Sequence, residues 1–271
     1  MSYIELHGTL FDASFDGINL STKGFDCFDI KKPHIPKQQL STIDIPKRNG
    51  NIISGKKFVQ NKLVLYGYVK NDSYDDLTAT LEDLAAFLFR DTDCKLVSSR
   101  QTDRYWNVQY LDYEIMEQKD DYAVVTLNFE CIEDPFAYDT TATTSDETIT
   151  SSGTTYVIAN AGHTYAFPTI TITFNQDMQH IYVANNTIID DTANRFDISK
   201  AFSSGDVLVV DCKNGTVKLN GANSPAGFGD GGNEMAEFIM LAVGSNELEV
   251  GTTDESINVD VDLSFEKVYL Y

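Results

Sequence analysis

The stretch Ile45–Val69, IPKRNGNIISGKKFVQNKLVLYGYV, decides how this chain is read. Its first part, Pro46 to Lys57, is polar and holds the turn formers Asn49-Gly50 and Ser54-Gly55. Asn-Gly supplies the positive-φ pair that a tight type I′ hairpin turn requires. Four cations, Lys47, Arg48, Lys56 and Lys57, stand out here against an acidic background. The second part, Lys62 to Val69, alternates, with Leu63, Leu65 and Gly67 on one face and Val64, Tyr66 and Tyr68 on the other. That period of two is a strand pattern, apolar enough on both faces to be covered. The stretch therefore reads as a basic, glycine-punctuated loop leading into a strand.

Outward from it, the preceding 44 residues hold short strand-like runs. Asp16-Gly17 is a hairpin turn between Leu10-Phe11 and Ile18–Leu20, and Phe25–Ile30 is a further short strand. Pro33 and Pro36 then interrupt regular pairing. On the other side, Ser73–Phe89 reads as a helix. Ser73 caps it, with Asp76 three residues on, and Leu77, Leu81, Leu84 and Leu88 form one apolar stripe. A helix packed on a sheet accounts for that stripe. Strands follow at Cys94–Ser98, at 105–113 and at 123–132, the last two joined by an acidic turn at Asp120-Asp121.

At Asp139 the composition changes. DTTATTSDETITSSG, residues 139–153, is rich in threonine and serine with almost no large apolar residue, and reads as a linker. Beyond it the pattern is all β, with short runs at 155–159, 169–174, 180–183, 187–190, 195–198, 207–211, 216–219, 238–241, 246–251 and 258–269. Turns such as Asn185-Asn186, Asn214-Gly215 and Asn220-Gly221 separate them. Many short strands at this spacing predict a two-sheet sandwich. The expected organisation is a domain over 1–138, a linker over 139–153 and a second domain over 154–271, in a mainly β chain with one helix.

The order of these pieces resembles a known family. Pro46, Arg48 and Asn49-Gly50, then Ser54-Gly55 and Leu63-Val64-Leu65, are similar to the loop and apolar strand in the amino-terminal domain of siphophage distal tail proteins. Val124–Cys131 followed by Asp134-Pro135-Phe136-Ala137-Tyr138 resembles the segment that closes that domain. Asn160-Ala161-Gly162, Pro168–Ile172, Gly205-Asp206, Asp211, Asn214-Gly215 and Asn220-Gly221 follow in the family's order. The resemblance implies a β-sandwich or barrel-like, tail-tube-type first domain and a galectin-like β-sandwich second domain. It implies a structural protein of the virion tail tip, assembled in the host cytoplasm as a homohexameric ring. That ring joins the tail tube protein to the tail-associated lysin or fibre hub protein, and DNA passes its lumen without specific binding. The second domain then serves as a platform for receptor-binding or peripheral baseplate proteins. Independently of the resemblance, an exposed basic loop on an acidic protein suggests a contact between surfaces of opposite charge, so the loop Pro46–Lys57, with Pro46, Lys47, Arg48, Asn49, Gly50, Lys56 and Lys57, is expected to meet a neighbouring subunit or an adjacent tail ring.

Composition agrees with a folded chain and narrows its partners. The 271 residues are 42% apolar, and the net charge is −21. Residues 1–138 hold 15 Lys+Arg against 22 Asp+Glu, a net −7, and the remainder holds 5 against 19, a net −14. Such a surface repels phosphate, which argues against sequence-independent DNA binding; it serves solubility and equally suits a surface that DNA must slide past. The start, MSYIELHGTLFDASFDG, has no cationic segment followed by an apolar run, and no apolar stretch is long enough for a membrane helix. Cys27, Cys94, Cys131 and Cys212 form no CxxC and are expected as buried thiols.

No catalytic residue, metal or cofactor is expected. Gly227–Gly232 matches GxGxxG in letters, but it lacks the strand before and helix after that a dinucleotide site needs. His7, His34, His163 and His180 are scattered, and no serine sits in a GxSxG elbow. Asp260 and Asp262 share a strand face without a calcium-loop pattern, and read as a solvated face. The rival function is a carbohydrate-binding module in host surface adhesion. Its aromatic platforms would be Tyr156, Tyr165, Tyr182, Tyr269 or Tyr271, since Trp106 falls in the first domain. A hydrolase is a third reading that no residue selects.

Overall fold

The computed structural model describes residues 10–32, 38–43, 52–59, 61–131, 134–188, 194–224 and 238–270. The chain divides into two compact units, the first drawing on residues 1–140 and the second on 141–269. Strands dominate both, and α1 (Tyr74–Leu88) is the one α-helix among the described residues.

The first unit is built on a sheet that curls back on itself. Its strands are β1 (Ala13–Phe15), β2 (Ile18–Asn19), β3 (Phe25–Lys31), β6 (Asn61–Lys70), β7 (Cys94–Ser98), β8 (Gln101–Gln118) and β9 (Tyr122–Cys131). They run in the order β2-β1-β7-β8-β9-β6-β3, and β10 (Ala137–Asp139) also pairs with β8. The backbone N–H of Phe11 donates to the carbonyl of Cys27 at 3.0 Å, tying the lead into β1 to β3. The sheet is thereby barrel-like, as expected. The hairpin turn at Asp16-Gly17 is present, with positive φ at both residues (52° and 77°), the geometry of a type I′ turn.

The helix lies on this sheet as its stripe demanded. Leu77, Leu81, Leu84 and Leu88 are all buried, and Phe87 joins them. The Ser73 hydroxyl accepts from the backbone N–H of Asp76 at 3.2 Å and donates to its carboxylate at 2.7 Å, so the first turn is capped by its own side chains. Beneath the helix, Phe15 meets Phe129 at 5.6 Å and Phe87 at 5.9 Å between ring centres. Strand β6 buries Leu63, Leu65 and Val69 on this side. Val64, Tyr66 and Tyr68, on the opposite face, remain half-exposed, so the two-sided cover expected of this strand is one-sided. The face they share is bordered by Asp26, Asp29 and Asn128, with Val124 and Thr126 buried in it and the Phe28 ring 6.4 Å from that of Tyr66.

The stretch before β6 departs from its reading. Ser54-Gly55 is no turn but the middle of β5 (Ile52–Phe58), which pairs antiparallel with β4 (Gln38–Ile43). Ser41 stands opposite Gly55, and a register shift between Ser41 and Thr42 takes up the irregularity that glycine permits. These two strands form a sheet of their own, separate from the barrel.

The second unit is a two-sheet sandwich. Its six-stranded sheet runs β11 (Thr143–Ile149), β20 (Val259–Phe265), β13 (Thr169–Phe174), β16 (Val207–Asp211), β17 (Thr216–Leu219), β18 (Ala222–Asn223). Its four-stranded sheet runs β12 (Thr154–Asn160), β19 (Gly244–Gly251), β14 (Met178–Asn185), β15 (Arg195–Phe202). Phe174 of β13 stacks on Phe202 of β15 at 4.1 Å with the rings 10° apart, which shows the two sheets packed face to face. Ile170, Ile172, Ile181, Val183, Phe196, Val250 and Val261 fill the space between them.

Two readings of this half change. The threonine-rich segment 139–153 is not a bare linker: β11 pairs with β20 over seven residues, Thr143↔Phe265 to Ile149↔Val259. Threonine favours extended backbone. An edge strand also needs few apolar residues, and of β11 only Ile149 is buried. Residues 238–241 form no strand, only an isolated bridge between Ala166 and Leu241. Side chains hold that segment instead. Asn185 donates to the carbonyl of Met240 at 2.7 Å, Asn194 accepts from its N–H at 2.9 Å, and Asn160 donates to the carbonyl of Leu241 at 3.1 Å.

The Asp260–Asp262 face bears a repulsive pair. Asp262 stands directly opposite Asp146 on β11, while Asp260 accepts from Thr148 and Asn175 at 2.7 and 2.9 Å. Those donors hold Asp260 below the usual carboxylate range. Asp262 is pushed above it by partial burial and by the charge of Asp146. A carboxyl whose proton affinity rises on folding contributes stability below its unfolded pKa and loses it as pH rises. Asp262→Asn is therefore expected to raise the melting temperature by about 1–2 °C at pH 7 and to leave it nearly unchanged at pH 3. Thermal denaturation at the two pH values reads this, and a larger gain at pH 3 would contradict the pairing.

Candidate assembly surfaces

The longest run of exposed apolar side chains among the described residues of the first unit lies on β8. Over Gln101–Val108 this strand is flanked by β7 and β10. Over Gln109–Gln118 it pairs only with β9, and no strand among the described residues pairs with its other edge. Two irregularities, between Tyr110 and Asp112 and between Ile115 and Glu117, bend it there. Leu111, Tyr113, Ile115 and Met116 are 41%, 40%, 38% and 53% exposed. Tyr113 and Ile115 stand opposite the buried Leu127 and Val125, so they prolong the helix-side face beyond the cover of the helix. An open strand edge beside exposed apolar side chains is a pairing template unless something covers it.

The opposite face of the same strands is acidic. The registers align Asp26, Tyr68, Val124 and Glu117 in one row and Asp29, Tyr66, Thr126 and Glu114 in the next. Lys31, Val64, Asn128 and Asp112 form a third. Residues directly opposite in a ladder share a face. These rows thus hold five carboxylates and one lysine, and Lys119 also pairs with Glu117 at 3.3 Å. Glu117 accepts from the Tyr122 hydroxyl at 2.9 Å, which holds its carboxyl below the usual range and keeps it charged.

The residues singled out from the sequence sit elsewhere. Lys56 and Lys57 are exposed on β5, opposite Leu40 and Gln39. Leu40 is itself 48% exposed. Pro46, Lys47, Arg48, Asn49 and Gly50 lie outside the described residues. The base of the hairpin is fixed where Phe58 meets Phe136 edge to face at 5.2 Å. The β8 edge was missed by sequence reading. Its signal was the run LDYEIMEQ, where alternation breaks into neighbouring apolar pairs at Ile115-Met116.

Of the tyrosines proposed as sugar platforms in the second unit, Tyr156, Tyr182 and Tyr269 are engaged or buried, while Tyr165 is exposed. The Tyr182 ring carries the Arg195 guanidinium at 3.8 Å, lies against Gly251 and donates its hydroxyl to Glu249 at 2.7 Å. Arg195 grips Asp197 through two hydrogen bonds, 2.7 and 2.8 Å, and Asp197 also takes a contact from His180 Nε2 at 3.1 Å. Burial opposes the charge of Asp197, but these partners hold its carboxyl below the usual range. The Tyr156 hydroxyl is buried, and burial raises its pKa. Tyr269 packs edge to face on His163 at 5.2 Å, and Tyr165 is 52% exposed. Tyr271 and the glycines at 227–232 lie outside the described residues. Trp106 is buried in the first unit, with the Lys32 ammonium over its ring at 4.8 Å.

The four cysteines are buried and unbridged. Burial pushes the Cys131 and Cys212 thiols up to about 12 and raises those of Cys27 and Cys94, so none is a thiolate nucleophile at neutral pH. Among the described residues, no three His, Cys, Asp or Glu side chains converge as metal ligands would. No described helix is long and apolar enough to cross a membrane.

Two family models match the chain. The model for the phage tail protein RIFT-related domain matches residues 18–131, and that for the siphovirus-type tail component, C-terminal domain, matches residues 161–269. The distal tail protein of Bacillus phage SPP1 is 26% identical over 228 residues, covering 82% of this chain and 85% of the relative. The crystal structure of the SPP1 Dit protein, described as a hub of the adsorption apparatus of phages infecting Gram-positive hosts, is similar with a TM-score of 0.75. That likeness covers 95% of this chain and 99% of the other at 18% identity, and it speaks for the fold.

Proposed function

The chain belongs to the siphophage distal tail protein family, and from that premise we propose that six copies close into a hub ring at the tail tip. The ring joins the tail tube protein to the tail-associated lysin or fibre hub protein, and DNA passes its lumen. The observation that carries this reading is the edge of β8 over Gln109–Gln118, open and apolar on one face and acidic on the other. An edge of one copy that meets a different surface of the next makes a head-to-tail contact, and such contacts close into rings when the rotation between copies allows. Burying Leu111, Tyr113, Ile115 and Met116 supplies the driving force.

The acidic rows are then the lumen wall. Asp26, Asp29, Asp112, Glu114 and Glu117 repel the phosphates of passing DNA, so the polymer slides without adhering. The protein works by geometry and charge rather than by catalysis. The second unit serves as a platform for receptor-binding or peripheral baseplate proteins, and the ring assembles in the host cytoplasm before joining the virion.

Light scattering on the purified chain, with negative-stain images of the same fraction, tests this reading. The expected mass is six times 30.2 kDa, about 181 kDa, in particles with a central hole. A mass near 30.2 kDa, both alone and after mixing with the neighbouring tail proteins, would overturn it.

A further inference from the structure

Two cations of the first unit rest on an aromatic ring instead of a carboxylate. The Lys23 ammonium and the Arg90 guanidinium lie 5.0 and 5.1 Å from the centre of the Phe87 ring. Among the described residues neither forms an ion pair, although the chain holds 41 Asp+Glu. Sharing one ring, the two charges lie within about 10 Å of each other, one Debye length at about 0.1 M salt.

Both cations line a cleft of about 690 Å³, together with Thr80, Asp83, Ala86 and Phe87. That volume is ordinary for a ligand site. The cleft lies where the 3-10 turn Leu20–Lys23 approaches α1. Gly24 ends that turn with a φ of 79°, and a Cβ there would stand 2.7 Å from Thr80 Cγ2. Glycine is thus what lets the turn come so close to the helix. Asn71 donates to the Thr80 hydroxyl at 2.8 Å and to the carbonyl of Asp76 at 3.1 Å, so Thr80 is held in place with its own O–H still to donate. Two cations against Asp83 leave the cleft with one net positive charge, in a chain of net charge −21.

We propose that this cleft binds a carboxylate side chain on an acidic peptide segment of a partner protein, held between Lys23 and Arg90. A guanidinium offers parallel N–H groups that match the two oxygens of a carboxylate, and the ammonium adds a compact charge. Ala86 and Phe87 give the methylene stem of a glutamate an apolar floor. The rest of the chain selects the kind of anion. Its net negative field repels a free polyanion at a distance, so a nucleic acid strand gains little from one local positive charge. A side chain delivered by a protein docked alongside feels the cleft at contact range, where that field matters least. The site is complete within a single copy, so it stands or falls apart from the ring.

Fluorescence polarisation of a labelled pentaglutamate peptide with the full chain tests this, with pentaglutamine as the neutral control. The expected result is sub-millimolar binding of pentaglutamate that weakens with added salt, and no binding of pentaglutamine. Lys23→Ala with Arg90→Ala is expected to weaken binding at least tenfold, and Asp83→Asn to strengthen it about threefold. Lys218→Ala, an exposed position on β17 of the second unit, is expected to change nothing. Circular dichroism checks that each variant keeps the fold. Inorganic phosphate is expected to compete only at concentrations far above those of the peptide. No binding of pentaglutamate, or equal losses from Lys218→Ala and the double variant, overturns the site. Phosphate that competes as well as the peptide makes this a free-anion site and overturns the peptide assignment. A double variant with a lower mass than the unsubstituted chain in light scattering makes the cleft a contact between copies, which overturns it as well.

Discussion

Tyr113→Asp with Ile115→Asp is expected to abolish the ring while leaving the monomer folded. Both side chains lie on the open stretch of β8, 40% and 38% exposed, so carboxylates there meet water in the isolated chain and little stability is lost. In the proposed ring the same positions would be covered, and two unpaired charges would be buried beside Asp112 and Glu114. Truncating or charging anchor positions at the centre of an interface commonly costs more than 2 kcal/mol each. Two together correspond to roughly a thousandfold or greater loss in association. Light scattering reads the mass, and thermal denaturation of the same sample reads the fold. A ring that survives with unchanged mass would show that this edge is not where copies meet. The prediction holds whichever part of the neighbour covers the edge.

Gly67→Ala is expected to destabilise the first unit by about 3 kcal/mol, at the upper end of what an added methyl costs in a packed site. Gly67 is in β6, opposite Val125, on the side that faces the helix. A Cβ there would lie 2.4 Å from the Phe25 ring and 2.6 Å from the carbonyl oxygen of Asp26. The ring is fully buried and the carbonyl belongs to the neighbouring strand, so neither has room to retreat. Gly17 provides the control. Its φ is 77°, but a Cβ there meets nothing within 4 Å, so Gly17→Ala carries only the backbone cost, about 1 kcal/mol. Denaturant unfolding of the two variants gives the comparison. Equal losses, or a larger loss at Gly17, would mean that the contact of Phe25 with β6 is not as described.

These two positions differ in how visible they were beforehand. Gly67 already stood on the apolar face of an alternating strand, between Leu65 and Val69, because a period of two assigns each residue to a face. The need for glycine itself was not visible, since Phe25 is 42 residues away in sequence and reaches Gly67 only through the β3–β6 ladder. The β8 edge was hidden altogether. A strand's sequence does not say whether one neighbour or two will flank it, and the bulges around Leu111 and Met116 break the alternation that would have marked its faces. The basic loop shows the converse error. Ser54-Gly55 carries turn chemistry, but pairing with Ser41 draws it into a strand, because glycine permits a turn without compelling one.

By itself the sequence determined the class and the order of the parts. Local periodicity marked the capped helix and its leucine stripe, the strands 169–174, 207–211 and 216–219, and the change of character at 139. These follow from interactions between residues close in the chain. Composition determined the charge that argues against DNA adhesion. Only the tertiary structure decided which edges close and which stay open. It turned a threonine-rich segment into β11 by offering β20 as a partner, and it held residues 238–241 through Asn160, Asn185 and Asn194 rather than a ladder. It also placed the carboxylates of β3 and β8 on one face across four strands. Each of these depends on pairings between distant residues, whose energies arise only once the chain has brought them together.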